Sequence, residues 1–221
     1  MSSAPHPPEH PLTLRGPAGT LQARLRLPPP GRQAVAGAVL FHPHPLFGGS
    51  LENKILYRIA LRLAAEADHA VLRLNFRGAG ESEGQYDDGR GEVDDALAGI
   101  EELAGRLPGL PLAAIGYSFG AAIGLRAGVA DERVTRLVAL GLPLGLEWDL
   151  SFLERTQKPV LCVQGEHDEF GDAVRLQAFV KSLTGPVQTA IIPAASHLFS
   201  GREDDAVEAV VRTFLPDAPK T

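Results

Sequence analysis

Gly116-Tyr117-Ser118-Phe119-Gly120 is the stretch on which the reading of this chain turns. Before it, Leu112 to Gly116 is a short apolar run with the length of a buried strand. After it, Phe119 to Val129 is rich in alanine and glycine and reads as a helix. A strand that turns directly into a helix holds the serine in a strained conformation with its Oγ exposed. Glycines two positions before and after it remove the Cβ atoms that would collide where strand and helix pass closest. The helix N-terminus then offers backbone N–H groups to a developing negative charge. G-x-S-x-G alone is common in glycine-rich chains. Its place between a buried strand and a small-residue helix makes Ser118 a candidate nucleophile.

The same alternation extends in both directions. Upstream, Val35 to Phe41 is an almost unbroken apolar run, as for a strand covered on both faces. Glu52 to Glu66 carries a helical stripe of Leu56, Ile59, Ala60 and Leu63. Ala70 to Leu74 reads as a strand, Arg77 to Gly84 as a loop, and Glu92 to Leu107 as a helix with an acidic first turn. Downstream, the strands are Val134 to Leu140, Pro159 to Gln164 and Val187 to Ile192. The helices are Ala173 to Leu183 and Asp204 to Leu215. Strands alternating with helices of this length predict an α/β domain with a doubly wound, mostly parallel sheet. Leu12–Arg15 and Leu21–Leu27 predict antiparallel strands at the N-terminal edge. Residues 1–11 read as a flexible tail and 12–221 as a single domain, without repeats or a break in composition.

A serine hydroxyl is a poor nucleophile until a base takes its proton. Of the seven histidines, His6 and His10 lie in the tail and His69 precedes a strand at the opposite edge. His42 and His44 come early in the chain. His197 follows the last strand, in Pro193-Ala194-Ala195-Ser196-His197-Leu198-Phe199, where a nucleophile–acid–base order puts the base. The acid belongs between them, at a strand's carboxyl end. Val160–Val163 leads into Gln164-Gly165-Glu166-His167-Asp168-Glu169-Phe170, and a Gly-x-x-Asp turn aims Asp168 toward the top of the sheet. Glu166 and Glu169 are expected to be solvated. Asp168 would fix the imidazole tautomer and stabilise the imidazolium.

His42-Pro43-His44-Pro45-Leu46-Phe47-Gly48-Gly49-Ser50 follows the strand Val35–Phe41. Pro43 and Pro45 lack donors, so Leu46 or Phe47 must supply one oxyanion N–H, with Leu46 favoured; Phe119 supplies the other. His42 and His44 could form a metal pair, but no third ligand of matching type lies near in sequence. Structural histidines bonded within the loop are the expectation, with no metal and no cofactor.

Composition excludes several classes. A net charge of −6, with no long basic run, gives no sign of nucleic-acid binding. The single cysteine, Cys162, cannot form an intrachain disulfide and sits in an apolar strand. The N-terminus lacks an apolar run behind a basic start, and no apolar stretch would span a membrane, so a cytoplasmic protein with no membrane partner is expected.

Taken in order, HPHPLFGGSLENK, NFRGAGESEG, GYSFG, GEHDEFG and ASHLF resemble the small bacterial serine α/β-hydrolases related to dienelactone hydrolase, from about residue 12 to the end. The resemblance implies the α/β-hydrolase fold, a Ser118–Asp168–His197 triad and an oxyanion hole of Leu46 and Phe119. It implies a structural Arg77 and Gly78–Gly84 loop as well. Dienelactone hydrolase itself uses a cysteine nucleophile, so Ser118 argues against that activity. In this fold caps are often inserted before the strand that bears the acid. Here the interval from Gly141 to Lys158 is too short for a cap domain, although Leu142, Leu144, Leu146, Trp148 and Phe152 could line one wall. An open, shallow site for small or exposed acyl groups follows. Carboxylic-ester hydrolysis leads. Thioesterase or peptidase action would use the same machinery, and a non-catalytic binder on this fold is the other class. A carboxylate-nucleophile dehalogenase or epoxide hydrolase is excluded by Ser118. A doubly wound sheet can also dimerise by edge or face without leaving a mark in the sequence, which leaves a homodimer open.

Overall fold

The strand-and-helix alternation becomes one eight-stranded sheet in the computed structural model, which describes residues 7–215. The strands are β1 (Glu9–Gly16), β2 (Gly19–Arg26), β3 (Ala36–Phe41), β4 (His69–Leu74), β5 (Leu112–Tyr117), β6 (Val134–Leu140), β7 (Val160–Gly165) and β8 (Val187–Ile192). The helices are α1 (Lys54–Glu66), α2 (Arg90–Arg106), α3 (Phe119–Ala130), α4 (Ser151–Arg155), α5 (Ala173–Val180) and α6 (Glu203–Arg212). The sheet order is β1-β2-β4-β3-β5-β6-β7-β8. β1 and β2 form the expected antiparallel edge, and β4, β3, β5, β6, β7 and β8 run parallel.

Period-two alternation divides the core between two faces. Val39 and Phe41 of β3 point to one face, where they join Ala96, Ile100 and Leu103 of α2 and Leu125 of α3. Ala38 and Leu40 point to the other, against Ile55, Ile59 and Leu63 of α1 and Val207 and Val210 of α6. The chain runs from β3 to β4 on one side and returns to place β5 on the other. Loops leaving β3 and β5 therefore part at their carboxyl ends and open a crevice between them. That crevice holds His42–Ser50 and Ser118. The interval between β6 and β7 contains only the five-residue α4, so no cap domain covers it.

The N-terminal tail needs correction. Residues 9–11 lie in β1 rather than in a tail, while residues 1–6 fall outside the described residues. The reason is electrostatic. Arg26 and Arg73, 3% and 1% exposed, both place a guanidinium 2.7 Å from Glu9 Oε1 and lie over the Tyr57 ring. The carboxylate that ties the two cations comes from the N-terminal strand. Pro11 is tolerated because β1 is an edge strand. Helix ends also move by a residue or more: the Asn53 side chain accepts from Ile55 and Leu56 N–H and starts α1 after Glu52. α2 starts at Arg90, and α5 and α6 stop at Val180 and Arg212.

Glu9→Ala leaves two buried cations without their shared anion and lowers unfolding free energy by roughly 3 kcal/mol. Urea denaturation monitored by circular dichroism measures it; a midpoint equal to that of the parent protein would contradict the assignment.

Candidate active site

At the end of β5 the chain reverses in a single residue. Ser118 sits at φ 53° and ψ −115°, a conformation that non-glycine residues avoid. Both glycines are needed by contact. A Cβ on Gly116 would lie 2.3 Å from the Gly120 carbonyl oxygen, and one on Gly120 would lie 2.2 Å from that of Phe41. The Ser118 amide donates to Leu140 O at 2.8 Å, fixing the turn to β6. Phe119 opens α3, where its N–H has no acceptor within the helix.

His197 and Asp168 meet this serine. His197 Nε2 lies 2.8 Å from Ser118 Oγ, and His197 Nδ1 lies 2.8 Å from Asp168 Oδ2. With Nδ1–H donating to the carboxylate, Nε2 presents its lone pair to the hydroxyl. His197 and Asp168 are both buried, at 5% and 2% exposure, so water competes little for either side chain. The Asp168 carboxylate also accepts from Phe170 N–H at 2.8 Å and Gln164 Nε2 at 2.9 Å. Phe170 packs edge-on to the imidazole, with centroids 4.8 Å apart.

Main-chain bonds hold the histidine loop. Glu169 Oε2 accepts from His197 N–H at 3.1 Å, and Glu166 Oε2 accepts from Ala194 N–H at 2.8 Å. These carboxylates depart from the expectation of simple solvation: they are exposed, yet each holds an amide of the His197 loop. The Glu169 carboxyl stays below its usual range, first through its own amide and further through that of His197. From below, the Tyr117 hydroxyl donates to His197 O at 2.8 Å, and burial pushes its ionisation up. Sequence reading passed over Gln164 and Tyr117. The signals were a glutamine ending an apolar strand and a tyrosine beside the nucleophile.

The His42–Ser50 loop brings its two histidines in as structural groups. His42, fully buried, faces Pro43 O through Nδ1 at 2.6 Å and accepts Phe76 N–H at Nε2, 3.1 Å away. Burial lowers its pKa from 6.5 to about 4 and keeps the ring neutral. His44 Nδ1 accepts from Leu46 N–H at 3.3 Å, while its Nε2 meets the Tyr86 hydroxyl at 3.1 Å. Burial lowers the His44 pKa too. Phe47 N–H is engaged by His44 O at 3.1 Å within the Pro45–Phe47 turn. Of the two candidate donors, Leu46 has the longer, weaker bond, to a ring nitrogen. The rings of His44, Tyr86 and Trp148 pack round Phe119. Trp148 thus lines the site, whereas Phe152 lies under Arg126. Arg77 binds Asp95, which is fully buried, at 2.8 and 2.9 Å, as a structural pair. Cys162, also buried, has its thiol pKa pushed up to about 12 by burial, which makes it a poor nucleophile. Among the described residues, no three His, Cys, Asp or Glu side chains group as metal ligands, and no helix is long and apolar enough to cross a membrane.

Comparison with known proteins gives the family. The α/β hydrolase domain family matches residues 47–211. A Xanthomonas campestris protein, XC6422, described as an a/b serine hydrolase without lid, is 34% identical, with a TM-score of 0.84 over 97% of this chain and 100% of its own. An alpha-beta serine hydrolase homologue from Coxiella burnetii is 32% identical, with a TM-score of 0.85 over 92% and 96%. RP471 of Rickettsia prowazekii, an uncharacterised protein, is 30% identical over 90% of this chain and 86% of its own.

The neutral His42 makes stability pH-dependent. The unfolded chain takes up this proton near pH 6.5, whereas the folded chain resists it down to about 4. Stability is therefore held above pH 6.5 and lost as pH falls through that window, by roughly 2 kcal/mol at pH 5. Urea midpoints at pH 7 and pH 5 measure the loss; an NMR titration of the His42 ring with a midpoint near 6.5 would refute its origin.

Proposed function

Because the chain belongs to the α/β hydrolase domain family, we propose that it is a serine hydrolase cleaving carboxylic esters with small or exposed acyl groups through an acyl-enzyme. The observation that carries this reading is the pair of 2.8 Å hydrogen bonds from Ser118 through His197 to Asp168, at a strained turn beside a helix N-terminus.

In this mechanism His197 Nε2 takes the Ser118 proton as Oγ bonds to the ester carbonyl carbon. The carbonyl oxygen becomes an oxyanion held by the Phe119 and Leu46 amides. The Leu46 amide leaves its long bond to His44 Nδ1 for a charged and stronger acceptor. Collapse breaks the bond to the alcohol oxygen, which leaves with the proton from His197. Water then gives its proton to His197 and attacks the acyl-enzyme. The second collapse releases the acid and returns the proton to Ser118 Oγ. Asp168 remains ionised throughout and steadies the imidazolium.

The uncovered crevice supports the choice of acyl group. Phe47 is 86% exposed and Leu46 67%, so the apolar surface near the oxyanion loop is an open shelf rather than a tunnel. Such a shelf contacts a short acyl group on one side and gives a long chain little enclosure.

A fluorophosphonate should label the wild type and fail to label Ser118→Ala, which should also lose ester hydrolysis by ~10³-fold or more. A folded wild type that resists the reagent would favour a binding protein. With p-nitrophenyl esters, kcat/KM should peak at short acyl chains, and a strong preference for chains beyond about ten carbons would count against the open shelf. Thioester and peptide substrates in the same panel separate the activities that share this machinery.

A further inference from the structure

Gln164 is the one polar side chain on β7, a strand otherwise made of Val160, Leu161, Cys162, Val163 and Gly165, and it is fully buried. A buried amide is tolerated when its donors and acceptor are all used. Here they are. Oε1 accepts from Leu142 N–H at 2.9 Å; Nε2 lies 2.9 Å from Asp168 Oδ2, 2.6 Å from Gly171 O and 3.2 Å from Leu142 O. The orientation of the amide follows from these partners, because exchanging oxygen and nitrogen would set an acceptor against three acceptors.

Asp168 Oδ2 is thus shared by two donors, Gln164 Nε2–H and His197 Nδ1–H, while Oδ1 takes Phe170 N–H. We propose that Gln164 is a positioning residue: its amide fixes the plane of the Asp168 carboxylate and draws off part of its charge, setting the tautomer, aim and basicity of the His197 ring. This rests on the proton-shuttle role proposed for His197. The same amide joins the loop after β6, through Leu142, to the acid loop, through Gly171. Two walls of the site and the acid are therefore referred to one side chain. The titratable groups about the ring are Ser118 and Tyr117 from the end of β5, Asp168 and Glu169 from the acid loop and, further away, Glu203 from α6. Among the carboxylates, Asp168 bonds the ring itself.

Removing the donor leaves more negative charge on Oδ2 facing the imidazole, which favours the imidazolium. Gln164→Met keeps the length of the side chain and deletes the donor. We expect the His197 ring, followed by NMR with labelled histidine, to titrate at a higher pH than in the wild type. With ester substrates, kcat should fall roughly tenfold with KM little changed, and the acid limb of the rate profile should move up with the ring. In the wild type, the side-chain amide resonances of Gln164 should shift with the same midpoint as the His197 ring, a measurement that needs no variant. A variant that loses stability while the ring titrates as in the wild type, or a wild-type amide indifferent to that titration, would reduce Gln164 to a packing residue and overturn the proposal. Failure of the wild type to react with fluorophosphonate would instead retire the hydrolase reading, and the ring titration would still judge Gln164.

Discussion

The backbone of α3 comes so close to β3 that Gly120 has no room for a Cβ beside the Phe41 carbonyl. Everything at the site is set by this approach. The helix can sit at that height only if the chain reverses within one residue, which puts Ser118 in a backbone region worth about 1–3 kcal/mol of strain. The packing of Phe119, Ala121, Ala122, Ile123 and Leu125 in the core offsets that strain. In return, Oγ stands clear of the sheet at the mouth of the β3–β5 crevice, with the first amides of α3 beside it. A serine on a relaxed turn would lie lower, out of line with the His197 ring.

Around that fixed oxygen the protein distributes charge unevenly. Burial lowers the pKa of both His42 and His44 in the His42–Ser50 loop, which disfavours a cation on that side of Ser118. On the opposite side, the buried Asp168 carboxylate meets three donors, Gln164 Nε2, Phe170 N–H and His197 Nδ1. His197 bridges the two regions. Its ring is guided by the acid and its main chain by Tyr117 and Glu169, so the imidazole is constrained from several directions.

Much of this was readable from residues alone, for an identifiable reason. Strand and helix periods are local, and a serine flanked by small residues between a strand and a helix has few other interpretations. Asp168 and His197 followed from strand order, because a parallel sheet delivers the carboxyl ends of its strands to one edge. What escaped the reading were interactions with no local signature. Glu9 belongs to the sheet because Arg26 and Arg73, distant in sequence, need an anion. Glu166 and Glu169 look like surface carboxylates until the His197 loop is laid beside them. Gln164 ends an apolar strand, and only its partners show why a polar group belongs there. Which of the Leu46 and Phe47 amides is held more weakly likewise shows only in the folded loop.

Beyond the His197 ring, the bonds that hold its loop are made to amides and a carbonyl, and Ala195 and Phe199 are buried in the core, while Ala194 and Leu198 are exposed. Leu198, 64% exposed, faces outward without a partner that fixes its identity, and Ala194 is exposed too, although its left-handed conformation at φ 56° limits which residues can replace it. Mutational drift at these positions can therefore reshape the lip of the crevice while the imidazole stays in register. An uncapped α/β-hydrolase fold built this way can vary its rim on a frame whose anchors do not read the changing side chains.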